Sequence, residues 1–488
     1  MLKINPAVLN LLAKIYSQAY KNRQEAYLVG GFIRDYLLGR ETNDIDIAVT
    51  GDSLTISNQI ADTIKGNCFV LDRLNRVARV ETNLNRHKYH IDFSVIENDI
   101  AHDLNRRDFS VNAMAIRLKD IEGPLSQIID PFKGIEDIRD KSIKAVNNQV
   151  FRNDPSRLMR AVRLAATLDF KINRTTENLI KDSQHLISEI PGEHVRIELL
   201  KLLSVPGAQQ WFRYMDKLGL LTGIIPEIAD LKKVEQPKEH HWDVYNHSLE
   251  TVGTIELLLR QSNWRYNTGN LLRGTLWSRD ISMHFNKNIS VDCKRKQLLK
   301  LGALLHDIAK PATKKFDAEG RMRFLGHPKL GAEMSETILQ RLRFSNKEIK
   351  IVKTLVYNHL RPAQMSNIGL PTSRAIYRFF RDADGSGLDI IILALADYLA
   401  TKGPELDIKE WKEHNQLMKY ILQEHLRQKT VTAVPRIING NDLMDIFGLS
   451  PGPQIGRLLK KLDEARAAGE FESREQALEY IEKQLIKK

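Results

Sequence analysis

The chain of 488 residues is long enough for two or more domains, each with its own buried core. Lys and Arg number 73 against 61 Asp and Glu, and the formal charge of +12 suits a polyanionic partner such as RNA. Only Cys68 and Cys293 occur, which excludes a disulfide framework; residues 1–25 are too polar for a signal peptide, and the apolar run at 390–395 is too short to span a bilayer, so a soluble, cytoplasmic protein with no membrane partner is expected.

Residues 1–26 read as a leading helix whose apolar positions Val8, Leu11, Leu12 and Ile15 share one face. The run Tyr27-Leu28-Val29 then meets Gly30-Gly31, a pair suited to opening a helix, where free backbone N–H groups and a positive helix end could receive a phosphate chain. Asp44 and Asp46 alternate with Ile45 and Ile47, so a strand of period two turns both carboxylates to one face. Convergent carboxylates beside a phosphate-binding turn make a site for Mg²⁺ and a nucleoside triphosphate. His90-Ile91-Asp92-Phe93-Ser94 alternates in the same way, and Asp92 reads either as a third carboxylate or as a solvated strand residue. The charged triplet Arg106-Arg107-Asp108 follows.

From Pro155 the pattern is helical, with Arg157, Arg160 and Arg163 on one face and Leu158, Val162 and Ala165 on the other. Asp154 can only accept and Arg157 can only donate, so together they match the mixed edge of cytosine or adenine. Residues 27–145 mix short strands and helices, whereas the chain from 150 onward is almost wholly helical, punctuated by Pro191, Pro206, Pro226 and Pro237. Residues 262–296 look like an insertion of mixed charge with no clear periodicity.

A second constellation lies downstream. His306-Asp307 sits on an apolar helix, with His247 far before it, Asp397 far after it, and His327 and His359 between. This order and these residue types make a divalent-metal ligand set, since buried charges of this kind must be paired or metal-bound.

The stretches LVGGFIRDYLLGR, NDIDIAV, NRRDFSVNAMA, IIDPFKGIEDI and FRNDPSRLMRAVRLAATLDF run in order over residues 27–170. They resemble the class II tRNA nucleotidyltransferase (CCA-adding) and bacterial poly(A) polymerase family, within the polymerase-β-like superfamily. The resemblance implies an α+β multi-domain fold: a polymerase-β-like nucleotidyltransferase head of mixed sheet and helices at 1–148, followed by all-α parts. These are a neck and base-reading region at 149–236, an HD domain at 237–405 and an RNA-anchoring tail at 406–488. It further implies triphosphate contacts at Gly30, Gly31 and Arg34, two Mg²⁺ ions on Asp44 and Asp46, and Asp92 as the third catalytic carboxylate. Arg107, Asp108 and Asn112 match the sugar and phosphate motif, and Asp154 and Arg157 the base-reading pair, with Arg160 completing the pocket. Asn153 stands where the family usually has an acid.

The second constellation resembles the HD-domain phosphohydrolases. That likeness implies a divalent transition metal of unknown identity on His247, His306, Asp307 and Asp397, with His327 and His359 as accessory histidines, and hydrolysis of phosphomonoesters or cyclic phosphodiesters. Residues 192–198 resemble the family's helix-stabilising neck motif. The Gly- and Pro-rich turns at 439–459 resemble its RNA-anchoring element, which leads into a basic helix through Lys460 and Lys461.

The expected function is therefore addition of C residues or the full CCA to the tRNA 3′ end from CTP and ATP, with release of pyrophosphate and a linked HD activity. Enzymes that complete CCA carry a longer loop where this chain has only the connector 93–105, which points to addition of the two cytidines alone. A poly(A) polymerase using ATP on general RNA, and an HD phosphohydrolase whose head merely binds RNA, are the alternatives. The oligomeric state is left open.

Overall fold

The computed structural model describes residues 4–85, 87–122, 127–266, 271–272, 274–366, 369–432 and 437–486. Part of the apparent insertion, at 267–270 and 273, lies outside them. The chain divides into two compact units, the first comprising 1–190 with 217–224 and the second 191–216 with 225–488.

The first unit opens with α1 (Pro6–Lys21), which buries Val8, Leu11, Leu12 and Ile15 as the periodicity predicts. There follow β1 (Ala26–Val29), α2 (Gly31–Leu37), β2 (Asp44–Val49), α3 (Ser53–Ile64), β3 (Asn67–Asp72), β4 (Val77–Leu84) and β5 (His87–Val95). Then come α4 (Ile100–Asn105), β6 (Ala115–Arg117), α5 (Gly134–Arg139), the single turn α6 (Val150–Asn153) and α7 (Arg157–Leu168). Six strands form one mixed sheet in the order β3-β4-β5-β2-β1-β6. Only β2 and β5 run parallel within it; the other neighbours are antiparallel.

Alternation decides which face each side chain takes. Ile45, Ile47, Ile91 and Phe93 are buried, and Asp44, Asp46 and Asp92 between them project to the opposite side. Asp52 caps α3 by accepting the Leu54 N–H at 3.2 Å, and α3 buries Ile56, Ile60 and Ala61. The connector 93–105 is the end of β5, a short turn and α4, with no long loop.

The second unit is mainly helical. The helices Val244–Leu258, Arg295–Leu305, Asn346–Asn358 and Gly387–Lys402 bury nearly every residue of their inner faces. Short antiparallel hairpins interrupt the helical pattern, at Asn288–Ser290 with Cys293–Lys294 and at Lys315–Phe316 with Met322–Arg323. The aperiodic stretch 262–296 contains the helix Arg279–Asn286 as well as the first hairpin, elements too short to show a period. His306-Asp307, expected on a helix, lies just past one: Arg295–Leu305 ends there and His306 is its C-cap. No helix among the described residues is long and apolar enough to cross a membrane.

The neck motif acts structurally within this unit. Arg196, on the helix Gly192–Ser204, donates to the fully buried Glu348 at 2.6 and 3.2 Å. Glu348 also accepts from Ser290 Oγ at 2.8 Å and from the Ser345 N–H at 2.8 Å, completing a capping box. Burial pushes the Glu348 carboxyl up, but Arg196 and these donors outweigh it and bring it down to about 2. Glu348 is thus an acid with a depressed folded pKa, so its stabilisation is complete above about 4.5 and is lost as pH falls toward 2. Arg196→Met is expected to destabilise the second unit by about 3 kcal/mol at pH 7, because it strands a buried carboxylate. The difference from the parent should shrink below pH 4.5 in urea titrations.

Candidate active sites

The first site is assembled by register. Asp46 on β2 pairs with Val29 of β1 on one side and with Asp92 of β5 on the other, and Asp92 in turn pairs with Arg79 of β4. Arg79 grips Asp92 bidentately, Nε to Oδ1 at 2.7 Å and Nη2 to Oδ2 at 2.8 Å. Asp92 is therefore not a freely solvated strand residue. Burial raises the Asp46 carboxyl, Arg107 opposes this, and the like charges of Asp92 and Asp44 push it up further. Three carboxylates on one face, one of them raised chiefly by burial, form the oxygen donor set that a hard divalent cation such as Mg²⁺ suits.

Gly30 is required by space as well as by conformation. Its φ is +75°, and a Cβ there would stand 2.6 Å from Asp46 Oδ2 and 2.9 Å from Arg107 Nη1. Gly31 begins α2 and its N–H donates to Asp46. Arg34 donates to Asp35 at 2.9 and 2.7 Å and to Asn112 Oδ1 at 2.5 Å. Arg107 is held by the buried Asp103 at 3.1 and 3.2 Å.

Asp108 is buried and fully engaged. It accepts from Arg160 at 2.9 and 2.7 Å, from the Phe109 N–H at 2.8 Å and from Asn112 at 3.0 Å. Burial would raise its carboxyl, but Arg160 and these donors outweigh it and hold it below the usual range. Asp154 and Arg157 lie together, Oδ2 to Nε at 3.5 Å. Arg157 also donates to the Arg106 carbonyl at 2.7 Å and the Arg107 carbonyl at 3.3 Å, which joins α7 to the Arg-Arg-Asp segment.

The second site gathers histidines at helix ends. His247 lies in the first turn of Val244–Leu258, His306 and His359 are C-caps, and His327 begins the helix His327–Arg341. His306, His327 and His359 each place Nδ1 at 2.7–2.8 Å from the main-chain carbonyl three residues earlier: Ala303, Phe324 and Val356. A carbonyl only accepts, so each Nδ1 carries the proton and each Nε2 is left to face inward. His247 Nε2 stands 2.9 Å from Asp397 Oδ1 and 3.2 Å from His306 Nε2. His327 and His359 Nε2 are 3.3 Å apart and lie 3.4 and 3.8 Å from Asp307 Oδ1.

His247, His306 and Asp307 form one buried triad of suitable ligand spacing, and Asp307, His327 and His359 form another. Burial opposes a charged His306, yet the Asp307 and Asp397 carboxylates raise it to about 10. The pocket thus demands a positive charge where Nε2 atoms meet. Nitrogen and carboxylate donors around that position fit a divalent transition metal.

Known proteins resemble the chain over most of its length. Residues 26–144 match the model for the poly A polymerase head domain, 169–232 that for the "Probable RNA and SrmB- binding site of polymerase A", and 244–402 that for the HD domain. An A-adding tRNA nucleotidyltransferase from Deinococcus radiodurans is 30% identical over 465 residues, 94% of this chain and 95% of the relative. A CC-adding tRNA nucleotidyltransferase from Thermus thermophilus is 31% identical over 466 residues, 94% and 93% of the two chains. The chain belongs to the tRNA nucleotidyltransferase family. In fold it is similar to a CCA-adding enzyme solved in complex with ATP, with a TM-score of 0.68 at 20% identity over 99% of this chain and 96% of that one.

For a tRNA nucleotidyltransferase head, the structure brings together Gly30, Gly31, Arg34, Asp44, Asp46, Asp92, Arg107, Asp108 and Asn112, with Arg160 bonded to Asp108 and Asp154 beside Arg157. Sequence reasoning missed Arg79 and Asp103. Arg79 alternates on β4 as Asp92 does on β5, but only strand register reveals that they meet. In the HD domain it gave no role to Lys310, 2.7 Å from Asp307 Oδ2, or to His240, whose ring centroid is 5.6 Å from that of His247.

Arg160→Gln is expected to cost the first unit about 2 kcal/mol, because it takes from the buried Asp108 the guanidinium that makes two hydrogen bonds to it and balances its charge. Asp108 is an acid held down in the folded state, so this loss should be constant above pH 5. It should fade as pH drops below 3.8, and denaturant midpoints across pH check it.

Proposed function

We propose that the chain is a tRNA 3′-end nucleotidyltransferase that adds cytidine, and that its HD domain is a linked metal-dependent phosphohydrolase. The observation that carries the first part is the in-register set Asp44, Asp46 and Asp92 beside Gly30-Gly31 and Arg107. Asp44 and Asp46, with Asp92 adjoining, would hold Mg²⁺; such ions supply Lewis-acid assistance to the attacking 3′-hydroxyl and to the departing pyrophosphate.

The protein's own groups do the positioning. The start of α2, Arg34 and Arg107 orient the triphosphate, and Asn112 and Asp108 fix the Arg34 and Arg160 guanidiniums around it. Asp154 and Arg157 present one acceptor and one donor to the base edge, and the ties from Arg157 to the Arg106 and Arg107 carbonyls set the reader's height above the phosphates. The short connector and the CC-adding relative support cytidine addition alone; the A-adding relative is equally similar, so adenosine addition is the outcome to separate. The tail helix Pro453–Ala467, opened by Gly452 and carrying Lys460 and Lys461, supports RNA anchoring at 439–461.

The HD reading rests on the two triads that share Asp307, which suit a centre of two ions. His247, His306, Asp397 and Asp307 would hold the first ion, with His327 and His359 at the second.

Extension of tRNAs ending before CCA, after C and after CC, with CTP and ATP supplied separately and together, tests the specificity. Arrest at CC, with no ATP accepted by the CC-ended tRNA, is expected. Adenosine addition to that tRNA would reverse the assignment, and long adenosine tails on unrelated RNA would make the protein a poly(A) polymerase. Asp44→Ala should lower nucleotide addition at least about 100-fold, near 3 kcal/mol of transition-state stabilisation, and leave phosphoesterase activity intact. Asp307→Ala should do the reverse, measured on a phosphomonoester and a cyclic phosphodiester with added Ni²⁺, Co²⁺ or Mn²⁺.

A further inference from the structure

The first unit has another concavity besides its carboxylate face. A cavity of about 660 Å³ lies between the end of α1, the loop into β1 and the edge strand β6. Four of its nine lining residues are cations, Lys21, Arg23, Arg117 and Lys119, against a single acid, Glu25. That acid is already engaged, accepting the Tyr27 hydroxyl at 2.6 Å.

Two aromatic rings complete the wall. Tyr16 and Tyr20 have centroids 6.2 Å apart, and Tyr20 is 73% exposed, an unusual cost for a large ring that covers nothing. Arg23 has a φ of +56°, a left-handed conformation that glycine would adopt with less strain, yet the position carries a guanidinium at the cavity. Gln24 and Ala26 complete the lining.

The cavity is distinct from the catalytic face. Ala26 and Arg117, which line it, pair with Val49 and Tyr27, whereas Asp46 pairs with Val29. The two ends of β1 are about 10 Å apart at strand rise.

We propose that this cavity is a second nucleotide site on the head, taking an unpaired residue of an RNA strand. The base stacks on Tyr16 and Tyr20, and the flanking phosphates lie on Arg23, Arg117 and Lys119. Exposed aromatic rings interleaved with cations are what single-stranded RNA recognition needs, because every base has a π-face and every linkage a charge. The choice of RNA as carrier rests on the function proposed above; the nucleotide chemistry of the cavity does not.

The test is photocrosslinking of the full chain to a single-stranded uridine octamer carrying 4-thiouridine, without CTP or ATP, followed by mass spectrometry of the peptides. Crosslinks within residues 16–26 are expected. The double variant Arg117→Gln/Lys119→Gln should lower their yield at least fivefold, with crosslinks elsewhere and the thermal melting temperature unchanged. Tyr20→Ala should do the same, and Tyr20→Phe should retain the yield because stacking needs only the ring. Absence of crosslinks in this segment, or yields indifferent to the double variant and to Tyr20→Ala, overturns the proposal. Equal competition by uridine monophosphate and by unlabelled octamer overturns the RNA form and leaves a free-nucleotide site. Nucleotide addition to tRNA is measured separately, so loss of the proposed function and loss of this site are told apart.

Discussion

Like charges held close on one face govern the catalytic head. The parallel pairing of β2 with β5 sets Asp46 opposite Asp92, and period-two alternation adds Asp44 to the same side. Such a face repels itself unless cations balance it. The surrounding architecture supplies them one by one: Arg79 from the next strand, and Arg107 braced by Asp103. Even Gly30 follows from this crowding, since a single Cβ would collide with both Asp46 and Arg107. The basic groups are thus, within the structure, partners of the carboxylates.

The HD domain surrounds its own carboxylates, Asp307 and Asp397, with histidines. Three histidines use one device: Nδ1 is tied to the carbonyl three residues back, where a helix ends or begins, so the ring is locked and Nε2 faces the cavity. At the two C-caps, His306 and His359, this is possible because the last carbonyls of a helix have no partner within it; at His327 the carbonyl belongs to the turn before the helix. The same device also accounts for His306-Asp307 lying beyond the helix that the apolar run predicts. An α-helix that continued through His306 would have used the Ala303 carbonyl for its own ladder.

The two units differ in what stabilises them away from the sites. The head relies on an alternating sheet with α3 against it, and several of its ion pairs belong to the site itself. The helical unit carries inward-facing pairs remote from its histidines: half-buried Arg196 with fully buried Glu348, and fully buried Lys300 with Glu256 at 2.8 Å. Its tail is joined through Arg374 to Glu470 and through Arg378 and Arg381 to Glu464.

The sequence by itself determined everything that depends on local periodicity and on residue chemistry. Asp44 and Asp46 had to share a strand face, Gly30-Gly31 had to break a strand and open a helix, and His247, His306, Asp307 and Asp397 carried the donor types of a metal set. The mixed head followed by helices was legible for the same reason. Tertiary structure alone decided the rest: that Arg79 takes Asp92, and that His327 and His359 meet Asp307 as a second triad. It alone also opened a tyrosine- and cation-lined cavity at the far end of β1. These depend on strand register and on helix ends brought together across tens to hundreds of residues, distances over which no period in a sequence carries phase.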